Sequence, residues 1–143
     1  QSIWQLHFWK LHLESINAKD IFESHKSTKI CYSDASSTGY AGFEVSTING
    51  VSHGMWNEKE AQQSSTWREL VAVYRVLLSL VHILKNQRVK WFTDNQGTRS
   101  IVMKGSMKED LQAVAYSIFV LCMENAISLE IELRMKRQII YLE

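Results

Sequence analysis

The chain has 143 residues, 45 % of them apolar, which is enough to bury a core and suits one domain rather than two. Its 16 Lys and Arg against 15 Asp and Glu exclude a globally basic nucleic-acid binder and a charge-driven disordered tail. Cys31 and Cys122 sit outside any metal-ligand spacing and are expected as core thiols. No apolar run reaches a membrane span, and residues 1–10 lack the pattern of a secretory signal, so the expected setting is intracellular, nuclear or cytoplasmic, with no membrane partner.

Residues 1–27 mix Trp4, Leu6, Phe8, Trp9, Leu11, Leu13 and Ile16 with polar turn material and are expected as a connector, leaving 28–143 as the domain. Lys29 to Asp34 alternates Ile30 and Tyr32 against Cys31 and Ser33, which predicts a central strand ending at Asp34. Tyr40 to Ser46 and Val51 to Trp56 predict two more strands, joined through Thr47-Ile48-Asn49-Gly50, whose Asn-Gly is a hairpin signal. From Thr66 to Asn86 the residues Leu70, Val73, Tyr74, Leu77, Leu78, Val81 and Leu84 recur at helical spacing and predict one long helix.

Val89 to Thr93 predicts a fourth strand ahead of Asp94-Asn95, followed by a short helix from Gln96 to Lys104 that Gly105 stops. Ser106-Met107-Lys108-Glu109 has the form of a capping box, and Leu111, Val114, Ala115, Ile118 and Cys122 behind it form the stripe of another helix. Leu129, Ile131 and Leu133 alternate with Glu130 and Glu132 in a fifth strand, Ser128 to Leu133. Helices long enough for crossovers separate the opening meander from the last two strands, so an α/β layered sheet of mixed direction follows.

Asp34 and Asp94 fall at the carboxyl ends of strands and Glu69 near the start of the main helix, positions that face one crevice in an open α/β sheet. Carboxylates gathered there suit hard, oxygen-preferring Mg²⁺ or Mn²⁺. Each acid also has a local alternative. Asp34 could start a turn, Asp94 could cap the short helix, and Glu69 could close a capping box in Thr66-Trp67-Arg68-Glu69. Arg88, Lys90, Arg99, Lys104 and Lys108 could hold phosphates or simply solvate helix faces. Trp67 and Trp91 are expected as core anchors, and the histidines show no metal spacing.

Tyr-Ser-Asp-Ala-Ser-Ser-Thr-Gly-Tyr-Ala-Gly at 32–42, Ser-Ser-Thr-Trp-Arg-Glu-Leu at 64–70 and Trp-Phe-Thr-Asp-Asn-Gln at 91–96 resemble the ribonuclease H domain of reverse-transcriptase retroelements. The DIRS-type retrotransposons are the nearest in likeness, since Lys104-Gly105-Ser106 is also similar to a stretch of theirs. The resemblance implies a ribonuclease H-like fold, a five-stranded mixed sheet of order 3-2-1-4-5 with helices packed on it. It also implies a companion reverse transcriptase domain, an RNA–DNA hybrid as substrate, and endonucleolytic hydrolysis of the RNA strand with two Mg²⁺ or Mn²⁺ ions.

Asp34 matches the first-strand acid that bridges both metals in that family, Glu69 the helix acid and Asp94 the fourth-strand acid. The likeness fails at 134–143, where Ile140 takes the place of the family's fourth acid, so the closing helix is expected to be truncated or degenerate. Glu143 is a weak substitute. The alternative to a working hydrolase is therefore an inactive relic or co-opted nucleic-acid-binding module of the same fold.

Overall fold

The computed structural model describes residues 28–134. Residues 1–27, expected as a connector, and residues 135–143, with Ile140 and Glu143, lie outside the described residues. Five strands, β1 (Thr28–Ala35), β2 (Gly39–Glu44), β3 (Val51–Met55), β4 (Arg88–Thr93) and β5 (Ser128–Leu133), form one sheet of order β3-β2-β1-β4-β5. Short connections make β1–β2 and β2–β3 antiparallel, whereas helical crossovers make β1–β4 and β4–β5 parallel. The helices are α1 (Glu58–Ala61), α2 (Ser65–Ser79), α3 (Val81–Leu84), α4 (Gln96–Lys104) and α5 (Glu109–Glu124). Among the described residues no helix is long and apolar enough to cross a membrane.

Strand alternation divides the sheet into two faces. Cys31, Val89, Trp91 and Ile131 join Leu70, Val73, Leu77 and Ile118 of the helices in the main core cluster. Gly42 permits the contact between sheet and α2, because a Cβ there would lie 2.7 Å from both the Val76 Cγ1 atom and the Tyr32 carbonyl oxygen. Residues of the other parity are half buried or exposed, and there Tyr32 stacks between Phe43 and Phe92 at centroid distances of 5.2 and 5.1 Å. Cys31 and Cys122 are buried core thiols, as expected.

Several local expectations need correction. The long helix breaks at Leu80, whose ψ of 8° leaves the helical range; α3 then ends at Leu84, so that both leucines are buried as the chain turns back toward β4. The capping box at 106–109 does not form. Ser106 Oγ accepts from the Lys108 N–H and Gln112 Oε1 accepts from the Ser106 N–H, since α5 starts only at Glu109. The hairpin that Asn49-Gly50 signals does form, β2 pairing antiparallel with β3, but Gly50 is not in the positive-φ region and the loop is organised by the buried Glu44 carboxylate. It accepts from the Ser46 N–H, the Ser46 hydroxyl and the Thr47 hydroxyl at 3.0, 2.8 and 2.6 Å. Helix α1 was not expected, although Asn57 and Glu60 form a reciprocal capping box for it.

Candidate metal centre

The β1–β4 pairing places the ends of two parallel strands side by side, and each end carries an aspartate. Asp34 is the penultimate residue of β1, and Asp94 directly follows β4. Glu69 is the fifth residue of α2, on the face that buries Leu70, Val73 and Leu77 against the sheet. One carboxylate oxygen from each of Asp34, Glu69 and Asp94 lies within 4.8 Å of the other two. Among the described residues no other group of three His, Cys, Asp or Glu converges in this way.

Other groups perform the local tasks that each acid could have performed. Ser36 closes the β1–β2 turn, its N–H bonding the Gly39 carbonyl at 2.8 Å and its hydroxyl accepting from the Thr38 and Gly39 N–H groups, both at 3.2 Å. Ser64 caps α2 by accepting from the Trp67 N–H, which puts Glu69 beyond the capping position. Asn95 caps α4, with Oδ1 accepting from the Thr98 N–H at 2.8 Å.

A single backbone N–H links two of the acids. Ala35 N–H lies 3.0 Å from Asp34 Oδ1 and 3.2 Å from Glu69 Oε1. Glu69 is 7 % exposed, and its buried Oε2 meets no hydrogen-bond donor. Burial, reinforced by the charges of Asp34 and Asp94 and by its contact with Asp34, pushes the Glu69 carboxyl up to about 8 against the opposing pull of the Ala35 N–H. An open cavity of about 350 Å³ adjoins Asp34, lined by Ser36, Thr38, Tyr40, Gly54 and Met55 among others.

The basic residues do not form one patch. Arg88 and Lys90 lie on β4 about 20 and about 13 Å before Asp94 along the strand, at ~3.3 Å per residue. Arg99, Lys104 and Lys108 are exposed on α4 and the turn after it, the segment that starts beside Asp94. Trp91 is fully buried and Trp67 packs against the main core cluster. Sequence reasoning missed Arg134, whose guanidinium lies 4.3 Å from the Phe92 ring centroid and donates to the Tyr32 hydroxyl at 3.3 Å. Its position just past β5 gave no signal of that cross-strand contact.

Neither a protein-family profile nor a curated protein matches the sequence. Solved structures do. The N-terminal RNase H domain of rv2228c from Mycobacterium tuberculosis is similar at 12 % identity and TM-score 0.64, over 80 % of this chain and 86 % of that one. LC11-RNase H1, isolated from compost by a metagenomic approach and solved in complex with an RNA/DNA hybrid, is similar at 14 % identity and TM-score 0.63, over 77 % and 87 %. The protease-reverse transcriptase of prototype foamy virus is similar at 9 % identity and TM-score 0.52, over 92 % of this chain and 19 % of that one. Identities this low speak for architecture alone, and the shared sheet order and crossovers give the chain a ribonuclease H-like fold.

Proposed function

We propose that the chain is a ribonuclease H-type endonuclease that hydrolyses the RNA strand of RNA–DNA hybrids, with Asp34, Glu69 and Asp94 holding two divalent ions, Mg²⁺ or Mn²⁺. The observation that carries this reading is the convergence of three carboxylates within 4.8 Å around a buried, donorless Glu69 oxygen. Such a set repels itself until a proton or a cation neutralises it, and an all-oxygen donor set fits a hard divalent cation. When bound, a pair of such ions supplies a water-derived nucleophile at neutral pH and stabilises both the attacking and leaving oxygens of a phosphate displacement.

The chain's own residues do the positioning. The Ala35 N–H orients Asp34 and Glu69, Asn95 fixes the backbone after Asp94, and the cavity beside Asp34 has room for part of a nucleotide. Arg99, Lys104 and Lys108 take phosphates along α4; Arg88 and Lys90 would serve a more distant stretch of the same duplex. A hybrid as substrate is supported by the solved LC11-RNase H1 complex. The three motifs support descent from a retroelement of DIRS type, and the likeness to the foamy virus protease-reverse transcriptase supports a reverse transcriptase domain as companion; residues 1–27 as the link to it and action in the nucleus or cytoplasm are part of the same proposal. Ile140, at the place of a fourth acid in the resemblance, lowers the charge available to one ion and so weakens cleavage more than hybrid binding.

The test is a labelled RNA–DNA hybrid set beside an RNA duplex and a DNA duplex, each with and without Mg²⁺ or Mn²⁺. Metal-dependent cutting of the RNA strand of the hybrid is expected, reduced about 100-fold or more by Asp34→Asn and raised by Ile140→Asp. A folded wild type and a folded Ile140→Asp variant that both leave all three substrates intact would overturn the nuclease reading.

A further inference from the structure

Strands β1 and β4 pair in parallel from Thr28 opposite Arg88 to Tyr32 opposite Phe92, and the pairing ends there. Beyond that point β1 stays paired with β2 as far as Ala35 opposite Tyr40, and β4 stays paired with β5 as far as Thr93 opposite Leu133. The sheet therefore forks just before its two aspartates, and each is carried forward by an outer neighbour. Like charge on Asp34 and Asp94 acts to open that fork further.

A side-chain hydrogen bond crosses it. Trp91 Nε1 donates to Ser33 Oγ at 2.8 Å, with Trp91 0 % and Ser33 3 % exposed. Ser33 adjoins Asp34, and Trp91 precedes Asp94 by three positions. The indole belongs to the main core cluster with Cys31, Leu70 and Ile131, so the donor end is held by packing and the bond transmits that constraint to Ser33. Low local dielectric strengthens such a bond, and its loss leaves the indole N–H buried without a partner.

We propose that the Ser33–Trp91 bond is a positioning element for the acid triad, holding Asp34 at the separation from Asp94 that a divalent cation requires. The proposal rests on the reading of Asp34, Glu69 and Asp94 as a cation site. Neither Ser33 nor Trp91 supplies a carboxylate; both act through the backbone that carries Asp34.

Mn²⁺ titration of the full chain, followed by the spectroscopic signal of free Mn²⁺, separates positioning from plain stability. Ser33→Ala should bind Mn²⁺ about 10-fold more weakly than the wild type, and Ser33→Thr, which keeps the hydroxyl, should bind more tightly than Ser33→Ala. Ile127→Val thins the core near the start of β5 and should lower the melting temperature with Mn²⁺ affinity unchanged. If Ser33→Ala does not fold, Trp91→Phe removes the donor instead and is expected to weaken binding to the same extent. Wild-type affinity in the folded Ser33→Ala or Trp91→Phe variant, or an equal loss in Ile127→Val, would overturn the positioning role and leave the cation site standing. A wild type that binds Mn²⁺ no better than Asp34→Asn would overturn the cation reading and the positioning role with it.

Discussion

At Glu69 burial and like charge act together. The group ionises near 4.5 when unperturbed, whereas the folded chain pushes it up to about 8, first through burial and then through Asp34 and Asp94. Between those values the folded state keeps a proton that the unfolded state has released, so stability falls as pH rises through the window and levels off above it. In the presence of a chelator, urea unfolding between pH 5 and pH 8 should therefore show a loss of stability that Glu69→Gln, neutral throughout, does not share. The difference between the two proteins isolates this residue from the histidines that titrate in the same range. Parallel pH profiles for wild type and Glu69→Gln would show that Glu69 ionises normally. Cys31 shows the same effect on a thiol: desolvation and Glu44 push it up to about 12, which makes it an inert core group.

Helix α5 ends in a Schellman motif. Ile127 N–H bonds the Cys122 carbonyl at 2.9 Å, Ala126 N–H lies 3.4 Å from the Met123 carbonyl, and both Ile127 and Cys122 are buried in the main core cluster. The residue in the left-handed position is Ala126, at φ 53°, where a Cβ is strained and glycine is not. Ala126→Gly should therefore stabilise the domain by roughly 1 kcal/mol, visible as a higher urea midpoint with an unchanged slope; a lower midpoint would mean that chain entropy outweighs the relief of strain. Elements of this kind were legible in the sequence wherever periodicity alone decides them. The strand alternation at 29–34 and 128–133 and the spacing of Leu70, Val73 and Leu77 reappear as β1, β5 and α2. The ends were less legible, because they depend on partners distant in sequence. Leu80 leaves the helix where the core needs it, Glu44 shapes a loop that Asn49-Gly50 would otherwise have claimed, and Ser64 takes the cap that placed Glu69 in a local role.

The whole molecule is what makes the three acids neighbours. They come from two parallel strand ends and one helix, separated by tens of residues in sequence, and only the β1–β4 pairing and the docking of α2 bring their oxygens within 4.8 Å. Their convergence could be read from strand ends and a crossover rule, but the Ala35 N–H bridge, the Ser33–Trp91 bond and the Arg134 contact could not. Each of those links residues whose proximity exists only after folding. A cation held by the three acids as proposed would be bound in the folded state and lost on unfolding, so its binding would appear as global stability. At a free concentration about 100 times the dissociation constant the gain is about 2.7 kcal/mol, on the order of 10 °C in melting temperature for a domain of this size. Millimolar Mn²⁺ or Mg²⁺ should raise the melting temperature of the wild type, and Asp34→Asn should blunt the rise. Leu77→Ala, which opens the core away from the acids, should lower the melting temperature while keeping the metal-dependent increment, because distant effects add. An increment of equal size in wild type and Asp34→Asn would place the cation elsewhere on the molecule, and its loss in Leu77→Ala would show that the crevice yields with the core instead of standing on its own strands.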